Sequence, residues 1–259
     1  MAFILLFDIG NQHINIGVFD GEERRASWRV STRLEGTPDE YALLLRNLLR
    51  QLGAPVQFEG GAIASSVPPI VSTFQQLCQQ QFNWSPLVVG PGVKTGVRIR
   101  TDNPREVGAD RVANALAAKR LYGVPAIVID FSGPTVFDAI NAEGDYVGSA
   151  IAPGIAVSAD ALFRSTAQLL RVELAPPNPP QVIGKNTINS VQAGLVYGYA
   201  SLVEGMIVRL KKELGAGAQV IATGEQVHLI MNETGAFDVV DEHLTLQGLR
   251  LIYEMNHKT

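Results

Sequence analysis

The 259-residue chain contains a single cysteine, Cys78. It can therefore form neither an internal disulfide nor a cysteine metal cluster, the pattern of a reducing compartment. With Phe74, Leu77 and Phe82 as neighbours, Cys78 reads as a packing residue on a helix face. Histidine is also scarce. His228, His243 and His257 have no metal-ligand spacing with one another or with acids, so no structural zinc is expected, and His13 reads as a turn or rim residue. No apolar segment reaches the roughly 20 residues that span a bilayer. The first apolar run stops at Asp8 without a basic segment before it, unlike a secretory signal. Twenty-one Lys and Arg stand against 25 Asp and Glu, a formal net charge of −4 with no dense basic run. The electrostatic footprint of a nucleic-acid binder is missing. These absences lead to the expectation of a cytoplasmic protein with no membrane or nucleic-acid partner.

What is present is a core and a repeat. At 46% hydrophobic content the chain can fill two moderate domains. Phe3-Ile4-Leu5-Leu6-Phe7 runs into Asp8-Ile9-Gly10-Asn11 and then through Asn15-Ile16-Gly17-Val18-Phe19 to a turn at Asp20-Gly21. Ala126-Ile127-Val128-Ile129 runs into Asp130-Phe131-Ser132-Gly133 and then through Thr135-Val136-Phe137-Asp138 to a turn near Glu143-Gly144. Each copy is a buried strand with an acidic tip and a hairpin, so two similar halves are expected, at 1–122 and 123–259. A carboxylate at a strand tip can hold a cation. A following glycine lets main-chain N–H groups approach phosphate oxygens, and two such tips facing each other would clamp a nucleotide. For either copy alone, Asp-x-Gly is equally well an ordinary strand-ending turn.

The rest of the chain reads as alternating helices and strands. Thr37-Pro38-Asp39-Glu40 is a capping box with proline at the first helical position, and Tyr41, Leu44, Leu45, Leu48 and Leu52 follow at helical spacing until Gly53. Ala62-Ile63-Ala64 and Pro86-Leu87-Val88-Val89 read as strands on either side of a helix begun by Pro69. A helix is predicted over Glu106–Tyr122, a loop at Pro176–Pro180, and a long helix over Thr187–Leu214 carrying Gly194, Gly198 and Gly205. Gln219-Val220-Ile221-Ala222 reads as a strand ending at Thr223-Gly224, and Leu244–Asn256 as a closing helix. The fold class is α/β with mixed sheets flanked by helices. Phe131 and Phe137 read as core residues, and Lys211-Lys212-Glu213 as a solvated helix face.

Taken in order, Asp8-x-Gly10-Asn11, Asp102-Asn103-Pro104, Gly108-Ala109-Asp110-Arg111, Asp130-Phe131, Ile151-Ala152-Pro153-Gly154, Gly184-Lys185-Asn186-Thr187, Thr223-Gly224 and Leu244-Thr245-Leu246-x-Gly248-Leu249 resemble the type III pantothenate kinases of the actin-like and sugar-kinase ATPase superfamily. The resemblance covers nearly the whole chain. It implies two RNase H-like domains, a homodimer, and transfer of the ATP γ-phosphate to the primary hydroxyl of pantothenate, the first step of coenzyme A synthesis. It also implies Mg²⁺ and a monovalent cation, K⁺ or NH4⁺. Asp110 would accept the proton, while Gly108, Ala109, Arg111 and Thr187 would join it in contacting pantothenate. Asp8, Ile9, Gly10, Asn11, Gln12, His13, Ile14 and Asn15, with Gly133, would line the nucleotide. Asp8 and Asp130 would serve the metal sites.

The chemistry is consistent on its own terms. Phosphoryl transfer asks a site to align a hydroxyl with the γ-phosphate and neutralise charge, and Asp110 next to Arg111 offers a proton acceptor and an anion partner. The plainer reading of Asp110-Arg111 is a charge pair at a helix start. Departures from the family gather at the nucleotide loops. Where the family reads Asp-Phe-Gly-Thr-Ala-Thr-Thr, this chain has Asp130-Phe131-Ser132-Gly133-Pro134-Thr135-Val136, with two hydroxyls absent and an N–H removed by Pro134. Gln12 stands in place of Thr, Ser149 and Glu225 in place of Gly, and Thr101 where Tyr is frequent. The same sequence therefore admits a non-catalytic relative that binds pantothenate or a partner, or another phosphotransferase or phosphatase of the superfamily.

Overall fold

The computed structural model describes residues 3–53, 57–165 and 171–257. By its contacts the chain divides into two compact units. One comprises the chain up to Val97, Asp102–Ala117 and the chain from Leu244 onward; the other comprises Arg98–Thr101 and Ala118–His243. Each is built on one sheet, and among the described residues each sheet has five strands.

In the first unit β1 (Phe3–Ile9), β2 (His13–Asp20) and β3 (Glu23–Ser31) form an antiparallel meander, and β4 (Phe58–Ser65) and β5 (Leu87–Val88) extend it in parallel, in the order β3-β2-β1-β4-β5. One face carries Leu5, Phe7, Ile9, Ile14 and Ile16 into a core closed by α1 (Pro38–Leu49) and α2 (Pro68–Phe82). The capping box at α1 forms: Thr37 Oγ1 accepts the Glu40 N–H at 3.3 Å and Glu40 Oε2 accepts the Thr37 N–H at 2.8 Å. Such a cap is worth about 1 kcal/mol. A 3₁₀ turn, Arg50–Leu52, ends at Gly53 with φ of +76°, where a glycine avoids the strain of a side chain. Leu44 of the predicted apolar stripe faces outward instead, 38% exposed.

Cys78 is fully buried beside Phe74 and Leu77, and burial pushes its thiol up to about 12. A thiol whose pKa is raised in the folded chain stays protonated there, while the unfolded chain ionises near pH 9, so this group lowers stability only as pH rises from about 9 toward 12. A disulfide reagent at pH 8 should modify native Cys78 at least about 100-fold more slowly than the denatured chain, read by absorbance. Equal rates would show that the site is open.

The other sheet face carries Leu6 and Gly17 and is covered by α6 (Leu244–His257), which also packs on α3 (Ala109–Ala117). A Cβ on Gly17 would lie 3.1 Å from the Leu246 side chain. At Gly248 of α6 the helix backbones meet so closely that a Cβ would collide with the Ala113 carbonyl. Thr245 Oγ1 donates to Asn114 Oδ1 at 2.8 Å across the same contact. The helix predicted over Glu106–Tyr122 is three pieces: a 3₁₀ turn at Pro104–Glu106, α3 itself, and a π turn at Ala118–Tyr122. The break at Val107-Gly108 makes Asp110 the second residue of α3 rather than an interior one.

The second sheet repeats the plan. Strands β6 (Ala126–Asp130), β7 (Thr135–Ile140) and β8 (Tyr146–Ala152) form the meander, and β9 (Gln219–Thr223) and β10 (Val239–Val240) follow in parallel, in the order β10-β9-β6-β7-β8. Pairing each strand with the one five later maps one sheet onto the other. Phe131 and Phe137 lie in its core, as expected. Helices α4 (Ile155–Ser165) and α5 (Thr187–Leu214) pack together in this unit. By length and composition α5 is apolar enough to cross a bilayer, contrary to the sequence expectation. Its apolarity has another use, because Val196, Tyr199, Val203 and Ile207 are buried in the unit's core.

Candidate active site

The Asp8 hairpin is held by main-chain bonds at every step. Ser66 N–H donates to Ile9 O at 3.0 Å, Gly10 N–H to His13 O at 2.9 Å, and Thr32 gives its hydroxyl to Gly10 O at 2.7 Å and its N–H to Gln12 O at 2.9 Å. Ile9 and Ile14 are fully buried core residues, so they can meet a ligand only through main-chain atoms. Asn11 and Gln12 form the exposed tip. Asp8 is the last residue but one of β1, and its Oδ2 accepts the Asn15 Nδ2–H at 2.9 Å. His13 is partly exposed at the start of β2.

Within the same unit, Asp110 opens α3. Burial pushes its carboxyl pKa up, while the Arg111 N–H and the Arg111 charge pull the other way. Its Oδ1 is buried with no hydrogen-bond partner among the described residues. The N–H groups of Asp110 and Arg111 at the helix start favour the charged form, as for an ordinary helix-start acid, yet they leave this oxygen without a bond. Leaving a carboxylate oxygen buried and unsatisfied costs free energy, the arrangement expected of a group kept for chemistry. Gly108 lies against it: a Cβ there would overlap Asp110 Oδ1, so the carboxylate would have to turn away. Ala109 and Arg111 flank it in the first turn of α3.

In the second unit Asp130 ends β6, nearly buried, and its Oδ1 accepts the Ser132 N–H at 2.9 Å. Gly224, with φ of +92°, lies so close that a Cβ would be 2.6 Å from the Phe131 nitrogen and 2.7 Å from Asp130 Oδ1. The loop beyond Asp130 has few donors to offer. Phe131 N–H is used on Thr223 O, Ser132 N–H on Asp130, and Pro134 has none. The Thr135 hydroxyl is buried against the Tyr199 hydroxyl, which in turn donates to Pro153 O at 3.0 Å. Gly133 N–H is the remaining loop donor without a partner among the described residues. Gly154 backs this loop closely, since a Cβ there would overlap the Gly133 carbonyl. Gln226 Oε1 accepts the Ala156 N–H at 3.4 Å at the start of α4, and Glu225 is partly buried. Thr187 begins α5 behind the cap of Asn186, whose side chain accepts the Asn189 N–H at 2.8 Å. With Leu162, Gly184, Lys185 and Ser190 it lines an open cavity of about 710 Å³.

The structure thus brings Asp8 to Asn15 together as one hairpin, Gly108 to Arg111 as one helix start, and Asp130 with Gly133 as one loop. Three residues of these sites were not singled out from the sequence. Arg29 donates through Nε to Asn15 Oδ1 at 3.2 Å, and Tyr199 and Gln226 tie the second loop from behind. Strand register brings Arg29 there, helix phase Tyr199 and the turn after β9 Gln226, and none of these is visible in local sequence.

Comparison with known proteins gives the same reading at full length. Residues 4–209 match the family described as type III pantothenate kinase. The chain is 51% identical over 254 residues to the type III pantothenate kinase of Roseiflexus sp. (strain RS-1), covering 98% of this chain and 99% of that one. It is 49% identical to type III pantothenate kinase 2 of Symbiobacterium thermophilum, covering 97% and 96%. Among solved structures it is similar to the activator of the 2-hydroxyisocaproyl-CoA dehydratase from Clostridium difficile with bound ADPNP, with a TM-score of 0.56 at 11% identity over 97% of this chain and 93% of that one. The inorganic polyphosphate/ATP-glucomannokinase from Arthrobacter sp. strain KM gives 0.51 at 13% identity, over 99% and 100%. At such identities these two speak for the fold alone, the actin-like ATPase fold. With the family matched over residues 4–209 and relatives near half identity over almost the whole chain, this chain belongs to the type III pantothenate kinase family.

Proposed function

We propose that the chain transfers the γ-phosphate of ATP to the primary hydroxyl of pantothenate, with Asp110 accepting the hydroxyl proton. The observation that carries this reading is the buried, unpartnered Oδ1 of Asp110 at the start of α3. A carboxylate held poorly solvated is a better proton acceptor than one in water. Arg111 pairs with the pantothenate carboxylate, Gly108 and Ala109 supply close main-chain contact, and Thr187 adds a hydroxyl. Asp8 to Asn15 and Gly133 line the nucleotide.

No group of three or more His, Cys, Asp or Glu side chains able to hold a metal occurs among the described residues. That donor set fits a Mg²⁺ that keeps its waters and is held by one carboxylate, Asp8, together with the nucleotide phosphates. When bound, Mg²⁺ neutralises charge on the phosphates. Asp130 suits the monovalent cation, K⁺ or NH4⁺. The family likeness supports a homodimer and, with the lone buried cysteine, a cytoplasmic setting.

A second reading is favoured by the loop Ser132–Val136, whose donors are largely used or missing: binding of pantothenate without turnover. A coupled assay with ATP, other nucleoside triphosphates, Mg²⁺ and K⁺ separates the two. Pantothenate-dependent turnover is expected, and its absence with every donor would overturn the kinase reading. Restoring the family residues together, Ser132→Gly, Gly133→Thr, Pro134→Ala and Val136→Thr, should raise kcat/KM for ATP by about 10-fold or more, since one lost charge-stabilising donor commonly costs about 100-fold. No gain would show that the altered loop does not limit the rate.

A further inference from the structure

The register of the first sheet places three polar residues in one row. Asp8 on β1 is directly opposite Asn15 on β2, and Asn15 is directly opposite Arg29 on β3. Strict alternation along each strand then puts all three on the face that carries Leu6 and Gly17, the face covered by α6. The side chains connect along this row. Arg29 Nε donates to Asn15 Oδ1 at 3.2 Å and Asn15 Nδ2 donates to Asp8 Oδ2 at 2.9 Å.

The direction of these bonds is forced. A guanidinium can only donate and an ionised carboxylate can only accept, so the amide between them has one workable orientation, oxygen toward Arg29 and nitrogen toward Asp8. Arg29 therefore fixes the flip of Asn15, and Asn15 fixes one oxygen of Asp8. Strand edges carry many Asn and Arg residues that do nothing of this kind. Here the row ends on the acid at the strand tip, and the next residue in the chain, Ile9, is locked in the core.

We propose that Asn15 and Arg29 are positioning residues: they hold the Asp8 carboxylate in the rotamer in which it meets the Mg²⁺ of a Mg·nucleotide, and the Asn15 side chain, within the nucleotide hairpin, acts through Asp8. The assignment rests on the kinase reading for what Asp8 binds, but the row itself does not. Partners of this kind behind a metal ligand typically alter affinity by about 10- to 100-fold. Asn15→Val keeps a strand-favouring side chain and removes the amide; Arg29→Met keeps the stem and removes the donor.

Calorimetry with the Mg²⁺ complex of AMPPNP and the intact protein tests the role. Asn15→Val is expected to weaken binding about 10-fold or more, Arg29→Met by less, and the double variant no more than Asn15→Val, because the residues act as one unit. In turnover, KM for Mg·ATP rises while KM for pantothenate stays put, and Arg29→Lys recovers part of the loss. Additive losses, equal rises in both KM values, or unchanged Mg·AMPPNP binding in Asn15→Val would overturn the proposal. A wild-type chain that neither binds Mg·AMPPNP nor turns over removes the kinase reading, and the row is then decided by NMR of the Asn15 side-chain amide. Slowed NH₂ exchange that Arg29→Met or Asp8→Ala releases supports it, and exchange indifferent to both overturns it.

Discussion

Asp110→Asn is expected to lower kcat by about 10²- to 10⁴-fold, the usual contribution of a positioned proton acceptor, with both substrates still bound. The substitution keeps the shape of the side chain and removes the charge that burial penalises. Stability should therefore move the opposite way to activity. The folded chain holds the Asp110 proton more tightly than the unfolded chain does. Ionised Asp110 thus costs folding free energy, and that cost appears as pH rises from the ordinary carboxyl pKa of about 3.9 through the raised folded value. Above that window Asp110→Asn should melt higher than the parent chain, and below it the two should converge. The acid limb of the parent kcat profile should fall above the ordinary carboxyl range for the same reason. Turnover within about threefold of the parent, or a variant that melts lower at neutral pH, would remove Asp110 from its role.

Gly248→Ala is expected to destabilise the protein by about 3 kcal/mol, at the upper end of ordinary overpacking. Helix propensity alone predicts a gain of about 1 kcal/mol for this change. The clash decides the sign: the new methyl would collide with the Ala113 carbonyl, lie 2.9 Å from Ala113 Cα, and meet backbone rather than a yielding side chain. Thermal unfolding should show a fall in Tm of about 10 °C. Gly205→Ala on α5 is the matched comparison, because a Cβ there has nothing within 4 Å and the site is exposed. It should hold or raise Tm. If Gly248→Ala behaved like Gly205→Ala, the close approach of α3 and α6 would be wrong.

Much of the architecture was legible in the chain. Binary patterning places β1, β2, β6 and β7, because alternating and continuous apolar runs have few other solutions, and the capping box and Gly53 delimit α1 on local chemistry alone. The helix break before Asp110 was not legible, since Val107-Gly108 interrupts a pattern that is otherwise helical and the break pairs Gly108 with a carboxylate in space. Nor were β8, α4 and β10, which lie in short or mixed segments where pattern is weak.

The duplicated strand-acid-hairpin plan, the family motifs in order, and the loop Ser132–Val136 where those motifs fail are all readable from the chain alone, because each depends on residues close together in it. Folding alone reveals that α6 returns to pack on α3 in the first unit, that the Thr135 hydroxyl is turned to Tyr199, and that Arg29 reaches Asp8 through Asn15. Those outcomes depend on strand register and on which helix face meets which sheet. Both are settled by packing between residues far apart in sequence, where local propensity has nothing to say.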